Sequence, residues 1–178
     1  MGLRASGVVV VSVITGVWVA NATEREKPLL GGPASREVSA LEAHFAARPG
    51  DAEAARALEQ GYVDAHQPGL ALALFDAASP AIRGDVRLRH AYGRALVDEG
   101  RSDEALAVEE EIVGTCSPVV EGSPAPAGCD SVLLASAVRR AGILLELVRL
   151  GVTDAQAHPE ASLVAYRNAT REARVTLQ

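Results

Sequence analysis

The feature that most constrains this chain is a pattern that occurs twice, 34 residues apart, within residues 54–112. Leu58 and Ala71 of the first copy correspond to Tyr92 and Ala105 of the second copy. In each copy the apolar residues recur three or four positions apart, which is typical of amphipathic helices. A helix–turn–helix unit repeated at this period buries its apolar face against its neighbours. The pattern therefore predicts a stack of helices.

The composition supports a helical fold and excludes one large class of partner. Of the 178 residues, 48% are hydrophobic and only 3% are aromatic, and alanine and leucine, which favour helices, supply much of the rest. Few segments alternate apolar and polar residues as a strand does, so we predict an all-α fold. The formal net charge of −6 argues against a nucleic-acid-binding protein, which needs a basic face.

The N-terminal segment has the order of a secretory signal peptide. Arg4 precedes the uncharged run 7–20, and the small-x-small triplet at 20–22 follows it. We therefore predict that residues 1–22 are a signal peptide, cleaved after the triplet. The alternative is an uncleaved membrane anchor at residues 7–22, although a spanning helix needs about 20 apolar residues and this run is shorter.

The rest of the chain divides into a linker, a repeat region and a C-terminal part. Residues 23–34 contain two prolines and two glycines and are predicted to be a flexible linker. Residues 35–113 are predicted to hold the helical repeats, with Asp51 and Asp85 as N-caps of the two first helices and Ser102 as N-cap of the second helix of the second copy. Residues 130–178 are predicted to form a helical hairpin that packs on the repeats. Asp130 is predicted to cap the first helix of this hairpin, and Gly151 to end it.

The second copy resembles a tetratricopeptide repeat. The family's pattern is carried by a bulky residue followed by glycine, a second large residue, a turn glycine and a small residue, here Tyr92, Gly93, Leu96, Gly100 and Ala105. The first copy departs from the pattern, with Glu59 and His66 in place of the two glycines. The resemblance implies a short right-handed stack of antiparallel helical hairpins, a tetratricopeptide-like α-solenoid.

The resemblance also implies a binding surface, because the first helices of such repeats line a concave groove that holds a protein or peptide. Carried over by register, the predicted groove residues are Glu53, Arg56, Gln60, Val63, Arg87, His90, Arg94 and Val97. The three arginines could bind a carboxylate or an acidic peptide with two parallel hydrogen bonds. Alternatively, they are solvated side chains paired with Asp64, Asp98 or Glu53. The family members that grip chaperone tails use lysine and asparagine at such positions, so we do not predict that activity.

The two cysteines flank residues 117–128, a stretch rich in proline and glycine within a loop predicted at residues 114–129. In an exported protein, a single pair of cysteines usually forms a disulfide, so we predict a bond between Cys116 and Cys129. The alternative is two unrelated thiols. We do not predict a metal site, because no further cysteine exists and no histidine is close in sequence.

The chain has no motif of a known catalytic class. It lacks a phosphate-binding G-x-x-x-x-G-K-[ST] loop, a G-x-S-x-G elbow and an H-E-x-x-H zinc motif. The acidic run 109–111 is predicted to be a solvated helix face. We therefore predict an exported scaffold without a cofactor or metal, located in the periplasm or outside the cell. The alternatives are a membrane-anchored structural subunit and an enzyme of unrecognised type, which would need a pocket with convergent titratable groups.

Overall fold

A computed structural model describes residues 33–117 and 126–175 of the chain. Within these ranges the secondary structure is helical throughout, without strands, which confirms the predicted all-α fold. The helices are α1 (Pro33–Ala47), α2 (Ala52–Asp64), α3 (Pro68–Ala77), α4 (Pro80–Arg83), α5 (Val86–Asp98), α6 (Ser102–Cys116), α7 (Ser131–Arg149) and α8 (Pro159–Val175). None of these described helices is both long and apolar enough to cross a membrane. The predicted signal peptide and the alternative anchor lie outside the described residues.

Three helices begin at the aspartates that the sequence marks as N-caps. The carboxylate of Asp51 accepts hydrogen bonds from the first turn of α2, and that of Asp85 does the same for α5. Asp130, the predicted cap of the C-terminal helix, accepts from the N–H of Leu133 in α7. These bonds satisfy backbone donors that a helix start otherwise leaves without a partner.

The same three helices end in the same left-handed turn. The residue after each C-cap has a positive φ, namely 57° at His66, 74° at Gly100 and 71° at Gly151. In each turn the next N–H donates to the carbonyl five residues back, at 2.8 to 3.0 Å. Glycine adopts this conformation without a steric cost, whereas the Cβ of His66 makes its turn strained.

The helices pack as consecutive pairs. Helix α2 packs on α3, α5 on α6 and α7 on α8, while α5 also contacts both α2 and α3, and α6 contacts α7. The main core contains Leu58, Ala71, Leu96, Ala105 and Leu144, each at most 3% exposed. The small side chains at 71 and 105 lie at equivalent positions of the two copies and let the paired helices approach closely.

Several boundaries differ from the sequence prediction. The loop predicted at 114–129 begins later, because α6 continues to Cys116, and α1 begins at Pro33, inside the predicted linker. Helix α4 was not predicted, and it forms where Ser79 accepts from the N–H of Ile82 after helix α3 ends. The run 109–111 is only partly a solvated face, since Glu109 is fully buried.

The fold brings the two cysteines to disulfide distance. The Cα atoms of Cys116 and Cys129 are 5.4 Å apart and their sulfurs are bonded. Cys116 is buried at the end of α6 in a second apolar cluster with Val86, Ile112 and Leu133. The bond therefore ties the connection between α6 and α7 to the core beside the start of α5.

Candidate binding groove

An open cavity of about 520 Å³ lies between α2 and α5, and we call it the arginine groove. Helices α2 and α5 each supply four lining residues, and α7 supplies Arg140. The residues from α2 are Glu53, Arg56, Ala57 and Gln60, and those from α5 are Arg87, His90, Ala91 and Arg94. Every lining residue of α2 thus has a counterpart 34 positions later in α5. Six of the eight predicted groove residues line this cavity.

A second cavity of about 400 Å³ adjoins the first, and we call it the acidic cavity. It is lined by Val63, Asp64, His66, Pro68, Arg94, Asp98 and Gln156. Arg94 lines both cavities, so the two lie next to each other. Of the remaining predicted residues, Val63 contributes to this lining but is a buried core residue, 4% exposed, and Val97 is partly buried and packs against the same core. Val97 lies on the side of α5 that packs on the core, and it does not line the groove.

Each predicted groove arginine has an acidic neighbour. The Nε of Arg56 lies 3.9 Å from a carboxylate oxygen of Asp85, and a guanidinium nitrogen of Arg94 lies 3.7 Å from Asp64. Arg87 contacts Asp130 and donates to the carbonyl of Gly128 at 3.3 Å. The ion pair that the alternative interpretation names is therefore observed for Arg94 with Asp64, whereas Arg56 and Arg87 pair with carboxylates that it did not name.

These ion pairs leave the arginines able to bind a ligand. The side chains of Arg87 and Arg94 are 47% and 46% exposed, and exposed pairs of this kind contribute only about 0–1 kcal/mol. A guanidinium carries five N–H donors, more than these contacts use. An incoming carboxylate can therefore replace or join the present partners at little cost.

A partly buried network that sequence reasoning missed lies beside the groove. Glu109 accepts from Arg140 at 2.6 Å and contacts the Nδ1 of His90 at 2.8 Å, while the Nε2 of His90 lies 3.0 Å from the hydroxyl of Ser136. Arg140 also donates to the carbonyl of His90 at 2.7 Å. The network joins α5, α6 and α7. Arg140 lies outside the repeated pattern, so register could not have identified it.

The order serine–histidine–carboxylate in this network resembles that of a hydrolase triad, but two features favour a structural role. Ser136 lies inside helix α7, where the neighbouring N–H groups are used by the helix and cannot stabilise an oxyanion. Arg140 already neutralises Glu109, which weakens the support that the carboxylate would give to a histidinium. The network holds the third helical pair against the second.

Glycine 93 makes room for this network. A Cβ added there would lie 2.7 Å from the Oε1 of Glu109, closer than real Cβ contacts allow. In the first copy the acidic residue is on the first helix instead of the second, with Glu59 at the position of Gly93 and Phe75 at that of Glu109. The ring of Phe75 stacks on Tyr92 with centroids 4.1 Å apart.

Glu59 is the least satisfied polar side chain near the groove. It is fully buried on the inner side of α2, and among the described residues neither carboxyl oxygen has a hydrogen-bond partner. Burial raises its pKa to about 9, so the carboxyl is protonated at neutral pH. No group of three or more metal-ligating side chains lies close together in the described part of the chain.

Comparison of the sequence with protein-family models gave no match, and comparison with curated proteins and with solved structures gave none either.

Proposed function

We propose that this chain is an exported, tetratricopeptide-like scaffold that binds a segment of another protein or a peptide in the arginine groove. The observation that carries the proposal is the composition of the groove wall, where equivalent positions of α2 and α5 line one open cavity. Repeat proteins generate such continuous surfaces by stacking units, and use them to hold partners. The groove presents polar and charged side chains on rigid helices, which suits recognition of a polar segment.

The charges favour an acidic group on the partner. Four arginines line this cavity, each beside a carboxylate: Arg56, Arg87, Arg94 and Arg140. Among the described lining residues, Glu53 is the only acidic side chain. Arginine binds carboxylates with two parallel hydrogen bonds, which gives directional recognition. We do not assign a reaction to this surface.

The proposal is tested by reversing charge in the groove. We expect Arg87→Glu with Arg94→Glu to abolish capture of the partner from a native extract, because both guanidiniums line the cavity. The matched control is Arg83→Glu with Arg139→Glu, which makes the same charge change at exposed positions outside the groove lining. Circular dichroism and thermal unfolding establish that each protein is folded. Equal capture by the groove variant and the control would contradict the proposal.

Two further measurements bear on the proposal. N-terminal sequencing of the mature protein is expected to begin at Thr23, and retention of residues 7–22 would favour the anchored structural subunit instead.

Incubation with a fluorophosphonate is expected to leave Ser136 unmodified, since the backbone N–H groups beside Ser136 are used within helix α7. A stoichiometric adduct on Ser136 would show an activated serine and would contradict a purely binding role.

A further inference from the structure

We infer that the partner segment is extended and carries an acidic and a basic side chain about four residues apart. This inference rests on the proposed function and specifies the chemistry of the ligand. It follows from the position of the acidic cavity next to the arginine groove, with Arg94 lining both, and from the distribution of charge along α2 and α5.

The two cavities lie along different parts of helices α2 and α5. The N-terminal halves of α2 and α5 line the arginine groove, and their C-terminal ends line the acidic cavity. The two helices therefore run in the same direction along one surface. Arg94, near the middle of α5, lines both cavities.

Charge changes sign along this surface. At the N-terminal end the lining holds three arginines and one acid, namely Arg56, Arg87, Arg140 and Glu53. At the C-terminal end lie Asp64 and Asp98, which occupy the same position of the two repeat copies, 34 residues apart. The Asp64 side chain is 61% exposed and remains accessible to a ligand despite its neighbour Arg94.

The geometry of the helix sets the spacing of the ligand. Arg56 and Asp64 are eight residues apart, which corresponds to about 12 Å along α2 at 1.5 Å per residue. An extended segment covers that distance in about four residues, at roughly 3.3 Å each. The intervening Gln60 lies about 6 Å from each end. This step matches the distance of about 6.6 Å between alternate side chains on one face of an extended chain.

A short peptide set tests the inference on the full mature protein. The first peptide carries Asp and Lys four positions apart in a neutral background, and the second carries Asp at both positions. The third is an alanine-rich helix former with Asp and Lys eight positions apart, which places them at the same distance when helical. Fluorescence anisotropy is expected to give the first peptide about tenfold higher affinity than the second, the ratio typical of one charge-assisted contact. The third peptide is also expected to bind more weakly than the first, because a helix is about 10–12 Å wide and needs more room than an extended chain.

Variants connect that preference to the acidic cavity. Asp64→Asn with Asp98→Asn is expected to bring the first two peptides to within about twofold of each other. The control Asp76→Asn with Asp103→Asn makes the same change at exposed positions elsewhere and is expected to keep the tenfold preference.

The outcomes separate the inference from the proposed function. If the acidic-only peptide or the helical peptide binds as well as the first, the inference is overturned and peptide binding in the groove stands. If none of the peptides binds, the inference is overturned, and capture from the native extract by the charge-reversed protein then decides the proposed function. A preference that survives the Asp64 and Asp98 substitutions also overturns the inference.

Discussion

Replacement of Glu59 by glutamine is expected to stabilise the protein at pH 7 and to remove a specific pH dependence. In the folded protein, burial raises the pKa of this carboxyl from 4.5 to about 9. Below pH 4.5 the carboxyl is protonated in both states and imposes no penalty. Between pH 4.5 and pH 9 it ionises only in the unfolded chain, which stabilises that chain and lowers the free energy of unfolding as the pH rises.

The magnitude follows from the two pKa values. Each pH unit in this window costs about 1.4 kcal/mol, so the penalty at pH 7 is about 3 kcal/mol. Glutamine has nearly the same shape and stays neutral, and its amide replaces a carboxyl that is already without a hydrogen-bond partner among the described residues. The variant should therefore recover most of the penalty without creating a cavity.

The assay is denaturant unfolding at pH 5, 7 and 8.5, with the wild type and Glu59→Gln measured side by side. The difference between the two free energies of unfolding should grow by about 1.4 kcal/mol per pH unit, whatever other groups titrate. Glu110→Gln, which removes an exposed acid on α6, serves as the matched control. A constant difference across the pH range would refute the reasoning, because it would mean that Glu59 ionises in the folded protein.

Three further stability predictions follow from the packing. His66→Gly should raise the free energy of unfolding by about 1 kcal/mol in chemical denaturation, because glycine accepts the positive φ of 57°; a loss of stability would argue against a strained turn. Gly93→Ala should cost about 1–2 kcal/mol, since its Cβ displaces Glu109 from its network, and an unchanged melting curve would contradict that packing. Cys116→Ser with Cys129→Ser should lower the free energy of unfolding by about 3 kcal/mol, because it removes a cross-link between residues 13 positions apart. Equal stability with and without reductant would show that the bond does not constrain the unfolded chain.

The local signals in the sequence were strong enough to locate most helices. The aspartate caps at 51, 85 and 130 were predicted because an acidic side chain before an apolar periodic run satisfies the first N–H groups. The turn glycines at 100 and 151 were predicted because glycine tolerates the left-handed conformation. These features depend on neighbouring residues alone.

The features that depend on residues distant in sequence were harder to predict. Ser102 was expected to cap α6, but Arg101 precedes the helix and the N–H of Ser102 donates to the carbonyl of Thr153, a contact between separate helical pairs. Glu109 was placed on a solvated face because its partners, His90 and Arg140, come from other helices. Sequence register placed six groove residues together because they repeat, and it had no means of adding Arg140, which does not.

Site-specific photocrosslinking shows which surface of the protein the partner contacts. A benzophenone side chain at Ala57, exposed in the arginine groove, is compared with the same group at Ala107, exposed on α6 outside the groove lining. We predict that illumination in the native extract yields a discrete adduct from position 57 and none from position 107. Mass spectrometry should place that adduct within one segment of one partner. Equal adducts from both positions, or adducts from position 107 alone, would contradict binding in the groove.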